Sequence, residues 1–223
     1  MASDRSVLAR RLALFGLGAL VVLIVFWGWR LLWFLTDDAF IAFRYASNSL
    51  AGHGLVWNPP PFAPVEGYTS FLWVRLLELV WRVTGVAPPQ SANWIALGCG
   101  YLTLYIGWRI LQEMALPAEL DRHRLAISAL VVLGAATNRT FLTWLSSGLE
   151  TALFNCCLTG WVYAALQPAE RRGRRWIGLL SLAAALSALT RPDGLLTVPA
   201  TIVLLWLHLS RDEACRTRDI AWA

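Results

Sequence analysis

Two adjacent carboxylates, Asp37 and Asp38, stand in "LTDDAFIAFRYASNSLAGHGLVWNP" at 35–59, directly after a long apolar stretch. A carboxylate in a cleft at a membrane face can take a proton from a substrate hydroxyl. A second acid beside it can bind a metal, orient the first or raise its pKa. The same pair also reads as a helix N-cap followed by a solvated acid, and spacing alone leaves both readings open. Arg44 follows on the same predicted helix, placed to pair with the acids, to hold a phosphate or to snorkel at the interface. His53 lies between Gly52 and Gly54. It is either a turn histidine or a contact to a phosphate or an acceptor.

Three later stretches carry similar residue types. In "VEGYTSFLW", Glu66 and Tyr68 flank Gly67. An acid for hydroxyls beside a ring for an apolar sugar face suits a carbohydrate, although Tyr and Trp also form interfacial belts. In "SSGLETALF", Glu150 falls inside an apolar run that reads as a span, Phe141 to Leu166. An unpaired carboxylate is costly in a bilayer, so Glu150 is a functional candidate by default. In "LTRPDGLL", Arg191 and Asp193 form a second such pair, or simply pair with each other across the Pro-Gly turn. Asn138-Arg139-Thr140 matches a glycosylation sequon but reads better as a polar turn between spans. A divalent metal would find two adjacent acids at Asp37 and Asp38, without a further ligand set around them. The four cysteines lack metal-ligand spacing, and Cys99, Cys156 and Cys157 read as small apolar residues within spans. The sequence has no Gly-rich phosphate loop.

The elements that must position these residues are membrane helices. Of 223 residues, 57% are hydrophobic and 15% charged, against roughly 25% charged for a soluble domain. The net charge of +5 is not a nucleic-acid footprint, because the arginines gather in short runs between apolar segments, as in cytoplasmic loops. The spacing predicts an all-α integral membrane protein, a single domain over 1–223 with about six spans. These are Leu12 to Leu35, Ala92 to Leu111, Leu125 to Thr137, Phe141 to Leu166, and a final hairpin of Trp176 to Leu189 and Leu195 to Leu209. The first apolar run is too long for a signal-peptide core and is read as a retained span. Residues 36–83 form an outer loop with juxtamembrane helices: one after Asp38, which can cap it, ended by Gly52 and Gly54. The second, Phe71 to Val83, carries Arg75, Glu78 and Arg82 as one polar stripe and is amphipathic rather than a crossing. With that helix outside, both "DRHR" and "RRGRR" become cytoplasmic, as does the N-terminus. The candidate residues then converge on the outer face.

In their order and combination these stretches resemble the GT-C membrane glycosyltransferases. The resemblance runs from about Thr36 to Leu196. It is strongest to the bacterial branch that includes arabinofuranosyltransferases of the terminal β-1,2 type, with protein mannosyltransferases and the lipid A aminoarabinose transferase further off. It implies a multi-pass enzyme of the bacterial plasma membrane with a site facing the periplasm or exterior. Such an enzyme takes a sugar from a polyprenyl-phosphate donor and passes it, with inversion, to a hydroxyl of a glycan, lipid or protein acceptor. The general base then maps onto Asp37 or Asp38. Arg44 and Arg191 match the residues that hold the donor phosphate, and His53, Glu66, Tyr68, Glu150 and Asp193 fall where donor or acceptor contacts belong. Family members carry further spans and often an outer C-terminal domain beyond the point where this sequence stops, so a fragment, a truncated frame or a minimal homologue is expected. Two rival readings are a transporter or flippase for a lipid-linked sugar, and an inactive subunit that only binds carrier lipid. A transporter would want charges near the midplane and in both halves of a repeat, whereas these cluster at one face without a visible repeat.

Overall fold

The structure, a computed structural model, describes residues 2–63, 65 and 67–221. Those residues form helices and turns, with no strand among them. Helix α1 (Ala2–Leu31) leads through an irregular segment into α2 (Ala39–Leu50), and a long loop then reaches α3 (Phe71–Thr84). Helix α4 (Pro88–Glu113) is followed by the single turn α5 (Ala118–Asp121), α6 (Arg124–Ala136) and the short α7 (Arg139–Trp144). Helices α8 (Thr151–Ala165), α9 (Arg174–Thr190) and α10 (Thr197–Ala221) complete the chain, with 3₁₀ turns at Ala169–Arg171 and Pro192–Leu196.

Among the described residues three stretches are long and apolar enough to cross a bilayer: Val7–Leu31, Pro88–Glu113 and Pro192–Ser210. Helices α6, α8 and α9, with 13, 15 and 17 residues, fall short of the roughly 20 residues that a perpendicular crossing needs. The all-α membrane architecture is as expected, but the expected span Phe141 to Leu166 is not one helix. It breaks between Trp144 and Thr151, where Gly148 takes φ +79°, a left-handed conformation that ends an α-helix. Asn138 does make the expected polar turn. Its side chain accepts the Phe141 N–H at 2.9 Å and caps α7.

Helices α2 and α3 pack on each other, and α3 also touches α4 and α9. Buried Tyr45, Trp73 and Leu77 fill their shared core. The expected stop after α2 is present, with Gly52 at φ +87°, and Gly85 at φ +73° ends α3 in the same way. The polar stripe of α3 is an ion ladder in which Glu78 accepts from Arg75 at 2.6 Å and from Arg82 at 2.8 Å. Glu78 itself is buried, a position an acid tolerates only when so paired. A second core joins α1, α4, α6 and α7 around Trp29 and Leu145, and a third joins α8, α9 and α10 around Trp176 and Leu180. Cys99, Cys156 and Cys157 are free thiols in the packing between helices, and the Cys215 side chain lies outside the described residues.

Helices α4 and α8 run one way and α1 and α9 the other, so their termini gather at two ends. At one end lie the exits of α1 and α9 and the entries of α4 and α8. At the other, Glu113 accepts from Arg109 and, at 3.1 Å, from Arg171, and Tyr163 donates to it at 2.9 Å.

Candidate active site

The first end gathers the candidates Asp37, Asp38, Glu150 and Arg191 because two irregular loops, more than a hundred residues apart in sequence, are bonded to each other. The Phe34 and Thr36 N–H groups donate to the Ser146 and Ser147 carbonyls at 3.4 and 3.0 Å. In return the Ser146 hydroxyl donates to the Leu32 carbonyl at 2.7 Å. Three buried side chains from the surrounding helices complete the lattice. Trp29 Nε1 donates to the Leu145 carbonyl at 3.2 Å, Trp73 Nε1 to the Gly148 carbonyl at 3.2 Å, and Asn93 Nδ2 to the Phe34 carbonyl at 3.1 Å. Backbone groups inside a membrane protein must find such partners where helices stop. Indole and amide donors supply them, so the "TDD" and "SSGLE" segments are held as one unit.

On that unit Asp37 and Asp38 are both exposed. Asp37 Oδ1 accepts the Asp38 N–H at 3.1 Å. Asp38 occupies the N-cap position of α2, as expected, but its side chain caps nothing. Its backbone is already helical (φ −59°, ψ −29°) rather than extended as a capping residue requires. Thr36 does the capping, its hydroxyl accepting the Ala39 N–H at 3.2 Å. Neither carboxylate is in an ion pair among the described residues, so both are available to solvent or a substrate. Among the described residues no group of three His, Cys, Asp or Glu side chains gathers in a metal-like cluster.

Glu150, expected within a span, sits instead at the entry of α8 two residues beyond Gly148. It meets Arg191, whose Nη1 donates to Glu150 Oε1 at 2.7 Å. The pairing of Arg191 with Asp193 is also present but looser, at 3.3 Å from both Nε and Nη2 to Oδ2. The Glu150 side chain is 14% exposed and that of Asp193 66%. The tighter, drier bond therefore fixes the guanidinium, and the wetter one leaves an exchangeable partner. The turn that presents Arg191 has no latitude, since a Cβ at Gly194 would fall 2.1 Å from the Ser187 carbonyl oxygen.

Arg44 does not reach the acids. Its Nε donates to the Trp57 carbonyl at 2.8 Å and its guanidinium lies 4.4 Å from the Trp57 ring centroid. Tyr45 and Asn48 act alongside it, donating to the Val65 carbonyl at 2.7 Å and the Val56 carbonyl at 2.7 Å. One face of α2 thus pins the loop that follows it. Tyr68 packs on Tyr45 with centroids 4.4 Å apart, and His53 is exposed at the tip between its two left-handed glycines. Glu66 lies outside the described residues. Arg44→Ala removes a hydrogen bond and a cation–π contact worth about 0.5–1 kcal/mol at an exposed site. Faster amide exchange over 56–65, with α2 and α3 unchanged, is the expected result by hydrogen–deuterium exchange mass spectrometry.

The site is thus two neighbouring groups, a pair of free carboxylates and a guanidinium held by two acids, joined through the loop from Ser146 to Glu150. Sequence reasoning named the acids and Arg191 as candidates but missed the Glu150–Arg191 pair and the residues that join the two loops. Ser146 and Ser147 stand in the "SSGLE" stretch itself, and Asn93 was legible as a polar residue in an apolar helix.

Comparison with known proteins finds relatives of the chain. The chain is 30% identical over 179 residues to the terminal beta-(1->2)-arabinofuranosyltransferase of Mycobacterium tuberculosis, a match covering 75% of this chain and 27% of that protein. It is 41% identical over 73 residues to the protein of the same name from Corynebacterium glutamicum, covering 32% of this chain and 10% of the other. The chain therefore spans about a quarter or less of the curated relatives it matches. No protein-family profile and no solved structure matches it. What the chain resembles over three quarters of its length is a glycosyltransferase.

Proposed function

We propose that this chain carries the catalytic end of a GT-C glycosyltransferase that moves a sugar, arabinofuranose by analogy with the named relatives, from a polyprenyl-phosphate donor to an acceptor hydroxyl. The carrying observation is the bonded pair of loops, which puts two exposed carboxylates outside any ion pair and an anchored arginine on one support. In this scheme the acceptor oxygen attacks the anomeric carbon from the face opposite the phosphate. The carbon–oxygen bond to phosphate breaks with inversion, and the hydroxyl proton passes to Asp38 or Asp37. Polyprenyl phosphate leaves with its developing charge facing Arg191, and preorganised positive charge at that point lowers the barrier. Asp193 is the partner the phosphate displaces, while Glu150 keeps the guanidinium aimed. The two adjacent carboxylates are also the residues a divalent cation would meet. The proposed setting is a bacterial plasma membrane with this end facing outward.

The test is product formation. The purified chain is incubated in detergent with a synthetic polyprenyl-phosphoryl arabinofuranose and an arabinofuranoside acceptor, and products are read by mass spectrometry and NMR. A disaccharide of inverted anomeric configuration, absent with the Asp37→Asn/Asp38→Asn chain, is expected. Retained anomeric configuration, or equal yield from the double variant, would overturn the scheme.

A further inference from the structure

Along α1, Val21, Val25 and Trp29 are buried in the core with α4 and α6. On the N-terminal side of Val21 the seam between α1, α4 and α6 leaves a gap. The gap holds an apolar cavity of about 430 Å³ lined by Leu17, Gly18, Leu104 and Trp108. A second cavity of about 350 Å³ shares Leu17 with the first and is lined by Arg122 and His123. The two cavities border α1 and meet at Leu17; the first is apolar, and the second adds basic residues at the end away from Asp37 and Asp38. A Cβ at Gly18 would meet nothing within 4 Å, so no atom of the described residues fills the space beside it.

The basic end is free to act. Among the described residues Arg122 spends only its Nε, on the Glu119 carbonyl at 3.1 Å, leaving both Nη groups. The neighbouring acid Asp121 is already neutralised by Arg124 at 2.6 Å. We infer that this groove between α1, α4 and α6 binds an anionic phospholipid of the adjacent leaflet. One acyl chain lies along Leu17, Gly18 and Trp108, and the phosphate is held by Arg122 and His123. An apolar gap in a bilayer fills with lipid, and a basic cluster at the headgroup level selects its charge. The site is separate from the proposed catalytic end.

Native mass spectrometry of the full chain from detergent, titrated with phosphatidylglycerol and with phosphatidylcholine of the same acyl chains, tests this. The expected result is phosphatidylglycerol binding about tenfold tighter, the scale of one or two basic residues near a membrane surface. Arg122→Ala/His123→Ala should bring phosphatidylglycerol down to the phosphatidylcholine level. Gly18→Leu, which fills the groove, should weaken both lipids. Equal affinity for the two lipids, or a preference that survives the double variant, would overturn the proposal, as would a dimer that forms in place of the lipid adduct. The two exposed groove-end residues can be replaced without disturbing the packing, so the result stands even where Gly18→Leu does not fold.

Discussion

Replacing Asp37 and Asp38 together with asparagine is expected to lower the turnover number for sugar transfer by about 10²–10⁴-fold, the range over which a positioned general base acts. The donor KM should change little, because the proposed phosphate contact lies on Arg191, and a loss confined to the turnover number marks an interaction made in the transition state. Asparagine keeps the shape of each side chain. At position 37 its amide oxygen can still accept the backbone N–H of the next residue, so the loop geometry survives. The single variants should differ. Asp37 Oδ1 is engaged by the backbone at 3.1 Å, whereas the Asp38 carboxylate has no such tie. Asp38→Asn should therefore cost more than Asp37→Asn. Steady-state kinetics with saturating acceptor decide it. A double variant within a factor of two of the parent would remove the acids from the chemistry.

The second large effect is structural. Gly148→Ala meets two obstacles at once. The backbone there has φ +79°, and a Cβ would lie 2.7 Å from Leu35 Cδ2 and 2.9 Å from Ala39 Cβ. Left-handed geometry costs an L-residue about 1–2 kcal/mol, and overpacking adds about 1–3 kcal/mol. Gly54→Ala is the matched control, since its φ is +80° but nothing lies within 4 Å of its Cβ. Thermal unfolding in detergent should show Gly148→Ala destabilised at least twice as much as Gly54→Ala. Sugar transfer by the folded fraction should fall as well, because the clash pushes the "TDD" and "SSGLE" loops apart. Equal shifts for the two variants would mean that the loop contact contributes nothing to stability.

The candidate residues were legible in the sequence as types: acids after an apolar run, an acid in a presumed span, an arginine before Pro-Asp-Gly. The end of α2 was legible too, because glycine at a left-handed stop leaves a local mark. What escaped was long-range. Asp38 looked like a cap, yet Thr36, two residues earlier, had the better geometry, and which hydroxyl or carboxylate turns inward depends on the loop that Ser146 and Ser147 hold. Glu150 looked intramembrane because hydropathy averages over the break at Gly148. One glycine among small and apolar neighbours does not lower that average enough to show that the helix stops. Arg44 read equally as a partner of the acids, a phosphate contact or a snorkelling residue; its hydrogen bond to the Trp57 carbonyl was not legible, because no periodicity specifies the path of that loop.

The pinning of the long loop by α2 divides this end of the molecule into parts that can and cannot accept added sequence. The chain from Ser146 to Gly148 gives its carbonyls to Phe34, Thr36 and Trp73, so an insertion there breaks bonds on both sides at once. Pro60 to Ala63 lies between the anchors at Trp57 and Val65, exposed to solvent, in the kind of loop tip that tolerates added residues. A short epitope inserted between Phe62 and Ala63 should leave a monodisperse, folded protein with wild-type thermal stability, whereas the same epitope between Ser147 and Gly148 should yield none. The first position is then a handle for antibodies, labels or surface capture at the end of the molecule that carries the acids.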